Sequence, residues 1–196
     1  MAATSTTQTA KNENLVAGWL TQDEFSVLEA VCETMLPSLE PPEGSPEAVA
    51  AYYRRSARDL NVAQLVAETL SFENEQAKVD FRKLIDLLSS SAAGLMLAGV
   101  RRPFKDLPQE KREKYLIAMA NSPMGQLRQG YQTIKRLSGF AFFAATDSTG
   151  VNPNWEALDY QAPAPPPVDA PQPIKPLRIS EDVTLEADAV VIGSGA

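Results

Sequence analysis

Seven of the fourteen residues from Pro163 to Pro176 are proline. Proline fixes φ and removes the N–H group that a helix or a sheet ladder needs, so this stretch is expected to run as an extended, polyproline-like strap. A ligand for an SH3-type domain is the alternative reading. The strap lies between two segments of different pattern, which favours a spacer. The segment before it, residues 20–146, carries apolar residues at helical spacing. The segment after it, residues 181–196, reads as strand.

In the helical segment, Thr21-Gln22-Asp23-Glu24 is a start signal. Thr21 is placed to accept from the backbone N–H of Glu24, and Glu24 to reach back to Thr21, with Leu20 and Phe25 as hydrophobic staple. Phe25, Leu28, Val31, Cys32, Met35 and Leu36 recur at helical spacing until Pro37 stops the run. Cys32 falls on this apolar face and is expected as a packed core thiol. Pro41-Pro42-Glu43-Gly44 reads as a loop, and Ser45-Pro46-Glu47 as a restart with Ser45 as cap and Pro46 in the first helical position. Arg54, Arg55 and Arg58 read as a solvated face, with an anion site as the alternative. Further stripes lie at Val62–Leu70 and at Phe81, Leu84, Ile85 and Leu88, the latter behind the acidic residues Glu73 and Glu75. Pro108 fits another start, before Tyr115, Leu116, Ile117 and Met119. Asn121-Ser122-Pro123 breaks the chain again. The last helix is expected to reach about Ala145 and to bury Leu127, Tyr131, Ile134, Leu137, Phe140 and Phe143.

Composition narrows the chemistry. Eighteen basic against 25 acidic residues leave a formal charge of −7, so there is no basic stripe for phosphates and nucleic acid is not an expected partner. With no histidine and one cysteine, these residues alone form no Ser-His-Asp triad, no HExxH zinc site, no His–carboxylate iron site and no internal disulfide. No catalytic and no metal-binding residue is therefore named. Met1–Asn14 lacks the apolar run of a secretory signal and the arginines of a mitochondrial presequence, and residues 1–19 are read as a disordered tail. The longest apolar-leaning run, Ala92–Val100, is about half of the roughly 20 residues a spanning helix requires. It is read as a buried helix turn, with a peripheral membrane contact through Gly94, Leu95, Met96, Leu97 and Gly99 as the alternative. The cluster Phe140, Phe142 and Phe143 is read as core, with a lipid or acyl-chain contact as the sharper alternative. The location expected from these features is cytoplasmic or peripheral to a membrane.

Residues 147–180 are read as turn and proline-rich linker, with Trp155 and Tyr160 as anchors onto a neighbouring surface. Asp182–Glu186 and Ala187–Ile192 then read as two short strands, the second running into Gly193-Ser194-Gly195-Ala196. A strand entering G-x-G opens a dinucleotide-binding fingerprint. Gly193 would let the chain turn sharply, and Gly195 would remove a side chain where backbone approaches a pyrophosphate. The third glycine, the helix that holds the phosphates and the ribose-binding acid do not occur in these 196 residues. From the glycines alone, a flexible tail or a cloning scar remains open.

Five stretches occur in a telling order: residues 20–40 (LTQDEFSVLEAVCETMLPSLE), 101–116 (RRPFKDLPQEKREKYL), 121–124 (NSPM), 152–160 (NPNWEALDY) and 187–196 (ADAVVIGSGA). Together they resemble the N-terminal region of long-chain fatty alcohol oxidases, members of the glucose-methanol-choline (GMC) flavoprotein oxidoreductases. The helical part is also similar to the small subunit of membrane-bound gluconate dehydrogenase. The resemblance implies a mainly α chain: a multi-helix N-terminal domain, a proline-rich linker and the first strands of a truncated Rossmann-like FAD-binding domain. It implies a longer parent enzyme that binds FAD and oxidises a long-chain primary alcohol to the aldehyde, passing hydride to the flavin, with oxygen re-oxidising it in the oxidases. Gly193, Ser194, Gly195 and Ala196 match the start of the loop that faces the FAD pyrophosphate. The family's histidine base has no counterpart here, so the isolated fragment is expected to be inactive, its partners being FAD, the alcohol and the rest of the flavoenzyme. The alternative is a free-standing helical subunit that docks on a separate flavoprotein.

Overall fold

The computed structural model describes residues 15–161, 178, 180–184, 186, 188 and 190; the extended strap expected at residues 163–176 lies outside them. The chain divides into two units, Met1–Ala162 and Pro163–Ala196. Within the described residues of the first are α1 (Gln22–Met35), α2 (Glu47–Arg54), α3 (Val62–Ser71), α4 (Glu75–Ser89), α5 (Ser91–Ala98), α6 (Gln109–Ala120) and α7 (Gly125–Ala144). Two 3₁₀ turns, Phe104–Asp106 and Glu156–Leu158, complete it.

α1 is the hub. It packs against α3, α4, α6, α7 and the first 3₁₀ turn, which is why Val27, Leu28, Ala30, Val31 and Cys32 are all buried. Its start follows the sequence: the Thr21 backbone N–H donates to Glu24 Oε2 at 2.7 Å, and the Glu24 N–H donates to Thr21 Oγ1 at 3.2 Å. The last residue of the helix is Met35, with Leu36 as cap before Pro37. Opposite α1, Phe104 and Tyr115 meet edge to face at 5.2 Å, both fully buried. Each such aromatic is worth about 3–5 kcal/mol against truncation to alanine. The Tyr115 hydroxyl donates to the Leu87 carbonyl at 3.2 Å, and burial pushes its pKa well above the ordinary tyrosine value.

Several expectations need correction. The tail read as residues 1–19 gives way to packed structure at Val16, which bridges to Leu20 through a turn with Ala17 and Gly18 at positive φ. Trp19 is buried there, its indole N–H donating to the Ala67 carbonyl at 2.8 Å. Arg82 lies over the Trp19 ring at 5.7 Å, donates to the Trp19 carbonyl, and pairs with Glu24 at 3.5 Å. An indole with its polar edge satisfied gains more from burial than the turn costs. Pro46 is the cap of α2 rather than its first residue, and the Ser45 hydroxyl instead donates to the Pro42 carbonyl at 2.6 Å.

The arginine face is not simply solvated. Arg54 faces Glu47 at 3.8 Å and Arg58 pairs with Glu33 at 2.8 Å, while Arg55 is drawn inward to the turn after α7. The stripe of α7 also drifts. From Leu127, a period of 3.6 residues leads to Ile134, Ser138 and Ala141–Phe142, which are the buried positions. Phe140 sits about 140° round the helix from that line and is 68% exposed.

In the second unit, Asp182, Val183, Thr184 and Glu186, expected in a short strand, adopt no strand and are exposed. A strand persists only where a neighbour takes its N–H and C=O groups, and no ladder forms among the described residues. Asp188 and Val190 likewise carry no strand pairing. The start of a Rossmann-like sheet is thus not observed among the described residues, and Gly193, Ser194, Gly195 and Ala196 lie outside them.

Candidate functional site

The most developed surface feature lies at the C-terminal end of α7. A helix leaves its last carbonyls without internal partners. Here the Phe142 carbonyl accepts from Asn152 Nδ2 at 2.9 Å and from Asn154 Nδ2 at 3.3 Å. Asn152 Oδ1 in turn accepts from the Asn154 N–H at 2.7 Å. Arg55 reaches over from the end of α2, donating to Asn154 Oδ1 at 2.5 Å and to the Pro153 carbonyl at 3.2 Å. Both asparagines are essentially fully buried. Trp155 closes the turn by donating its indole N–H to the Phe143 carbonyl at 3.0 Å.

Asp147 shapes the loop that leads there. Its Oδ1 accepts from the Thr149 hydroxyl at 2.5 Å, the Thr149 N–H at 2.7 Å and the Val151 N–H at 3.3 Å. These bonds, the Thr149 hydroxyl first, hold its carboxyl below the usual aspartate value. Residues 147–161, read from sequence as the start of a linker, are therefore built onto the helical body. Trp155 is the expected anchor. Asn152 and Asn154, which the sequence places in a turn and in the 152–160 stretch without giving them a holding role, also hold the turn. Their signal was the N-P-N triplet placed just beyond a helix end, where side-chain amides can reach orphan carbonyls.

The turn walls an apolar recess of about 550 Å³. Phe140, Phe143, Ala144, Trp155 and Leu158 line it, with the hydroxyl-bearing residues Thr146 and Tyr160 also in its wall. Trp155 and Tyr160 have their rings 5.1 Å apart. Phe140, Phe143, Leu158 and Tyr160 are all exposed. Of the three phenylalanines read as core, only Phe142 is buried. Among the described residues the lining holds no charged side chain. Such a surface suits apolar, uncharged matter.

Elsewhere the chemistry is quiet. Cys32 is 1% exposed, with Sγ 3.7 Å from Ser138 Oγ. Burial pushes its thiol up to about 11, so it is the packed core thiol expected. The cleft beside it, about 50 Å³ and flanked by Glu29, Glu33 and Arg58, has room for little more than water. No group of acidic or sulfur ligands that could hold a metal occurs among the described residues. No described helix is long and apolar enough to cross a membrane. In α5 the burial is split: Ala93, Gly94 and Ala98 face inward, while Leu95 and Met96 are exposed. Gly94 is required, since a Cβ there would overlap the Arg102 carbonyl.

Comparison with known proteins adds the decisive observation. The chain is 31% identical over 150 residues to long-chain-alcohol oxidase FAO4A of Arabidopsis thaliana, covering 70% of this chain and 21% of the relative. The chain is similar to long-chain-alcohol oxidases. A second such enzyme of the same plant, FAO3, is 28% identical over 163 residues, covering 72% of this chain and 22% of the relative. The chain thus spans about a fifth of the length of the long-chain-alcohol oxidases it matches. No protein-family profile matches it. No solved structure matches it either.

Proposed function

We propose that this chain is the N-terminal part of an FAD-dependent GMC-type oxidoreductase that oxidises long-chain primary alcohols to aldehydes, with oxygen as acceptor. The observation that carries the reading is the similarity over 150 residues to a protein named for that activity. The chemistry of the final segment agrees with it: a β-branched run ending in Gly193-Ser194-Gly195-Ala196 is the type of sequence that lets backbone N–H groups approach a pyrophosphate. FAD, when bound, supplies the hydride acceptor. Gly193 gives the turn, Gly195 gives the close approach, and both need further residues to complete the cradle. The catalytic groups lie in the remainder of such an enzyme, because these residues include no histidine. The helical unit by itself performs no turnover.

The gene sequence beyond the Ala196 codon and the flavin content of its complete product test this reading. An open frame is expected, whose purified product carries FAD and loses it on Gly193→Val or Gly195→Val while the helical signal in circular dichroism is unchanged. A complete product with no flavin, or one that keeps it with both substitutions, overturns the reading. A stop codon at that point, with a separately encoded flavoprotein co-purifying, replaces it with the docking-subunit alternative.

A further inference from the structure

The recess at the end of α7 is preformed. Its floor is helix, and its far wall is held by four bonds from Asn152, Asn154 and Trp155 to the last carbonyls of α7 and from Arg55 to Asn154. An apolar wall fixed in this way does not collapse on itself, so Phe140 at 68% and Leu158 at 47% exposure remain in water. Its volume of about 550 Å³ falls within the roughly 300–1,000 Å³ of small-molecule sites. Among the described residues, six of the lining side chains are apolar or aromatic, none is charged, and Thr146 and Tyr160 bring hydroxyls. Neither hydroxyl has a hydrogen-bond partner among the described residues.

We propose that this recess binds the alkyl chain of a long-chain primary alcohol, with the alcohol's hydroxyl group meeting Thr146 or Tyr160. The choice of an alcohol rests on the function proposed above. A lining without charge among its described residues favours it over a fatty acid or a phosphate ester, whose anionic head would be desolvated there without a counter-charge. The site is a holding site on the helical unit. Its role is to gather a poorly soluble substrate by burying methylene groups.

The test uses the 196-residue chain and octanol, decanol and dodecanol below their solubility limits, followed by Trp155 fluorescence. Trp19 is buried on another part of the molecule and serves as a constant background. Saturable quenching is expected, with the dissociation constant falling about four-fold per added CH₂, the ratio that corresponds to about 0.8 kcal/mol each. Trp155→Phe should abolish the response. Leu158→Asp and Phe140→Asp should weaken binding at least ten-fold while leaving the urea midpoint near that of the parent chain, since both side chains are exposed. Decanoate should bind more weakly than decanol.

An affinity independent of chain length, equal binding of decanoate and decanol, or unchanged binding by both aspartate variants overturns the proposal. So does self-association through the recess that decanol fails to reverse, which would make a second copy of the chain the occupant. Failure here leaves the flavin content of the complete protein untouched. A complete protein without flavin leaves this titration unaltered. The two proposals therefore fail separately.

Discussion

The Arg55 guanidinium donates to the Asn154 side-chain carbonyl at 2.5 Å across 99 residues of sequence. This contact joins the end of α2 to the end of α7 through a buried amide. It converts a stretch of turn residues into a wall. Asn154 also donates to the Phe142 carbonyl and is positioned by Asn152, so the contact is one of the bonds that hold the wall of the apolar recess.

Asn154→Ala should therefore destabilise the chain by about 1–3 kcal/mol, the cost of leaving buried polar groups without partners. Urea unfolding followed by circular dichroism measures it. Asn154→Asp, which keeps an acceptor for Arg55 but loses the donor to Phe142, should fall between the two. A loss below about 0.5 kcal/mol for the alanine variant would show that the turn is held by other means.

Thr21→Ala should cost about 1 kcal/mol, since it removes one half of the capping box of the central helix. Thr21→Ser should restore most of it. Equal stability of the alanine and serine variants would contradict the cap.

Asp59 should contribute to acid sensitivity. Its Oδ2 accepts from the Ser56 N–H at 2.7 Å and from the Ser56 hydroxyl at 2.8 Å. These bonds, the backbone one first, lower its pKa below the ordinary 3.8. A lowered folded-state pKa means the unfolded chain takes up the proton first as pH falls. The contribution is thus fully present above about 3.8 and is lost as pH drops through the lower folded value. Asp59→Asn should flatten the fall in stability in that window and leave the slope near neutrality unchanged. An unaltered acid limb would contradict it.

Cys32 should be inert in the folded protein. A pKa of about 11 leaves on the order of a thousandth of the thiol ionised at pH 8, and burial blocks access. Ellman's reagent should find no reactive thiol in native buffer and one per chain in urea. Prompt labelling of the native protein would show that the core around Ser138 opens.

Much of the helical unit was legible because its signals are local. Thr21 and Glu24 are three residues apart, Pro37 and Pro123 punctuate their own neighbourhoods, and the α1 stripe needs only the helical period. What escaped depends on distant partners. Trp19 looked like tail because the carbonyl it needs belongs to Ala67 and its stacking cation to Arg82. Arg55 looked solvated because its acceptors lie near residue 154. Phe140 reads as core in the sequence because a small phase error accumulates along a 20-residue helix. The recess was half visible, since the phenylalanine cluster drew attention to an acyl-chain contact, but its second wall required knowing that 152–160 folds back. The glycine segment Gly193–Ala196 carries its meaning through sequence alone.

The proposed function places this chain at the front of an alcohol-oxidising flavoenzyme. Peroxide and aldehyde release by the complete protein, supplied with dodecanol or with ethanol under air, tests it most directly. Matched formation of dodecanal and hydrogen peroxide from dodecanol is expected, with far slower turnover of ethanol. A flavin-loaded complete protein that releases neither product from any primary alcohol would contradict it.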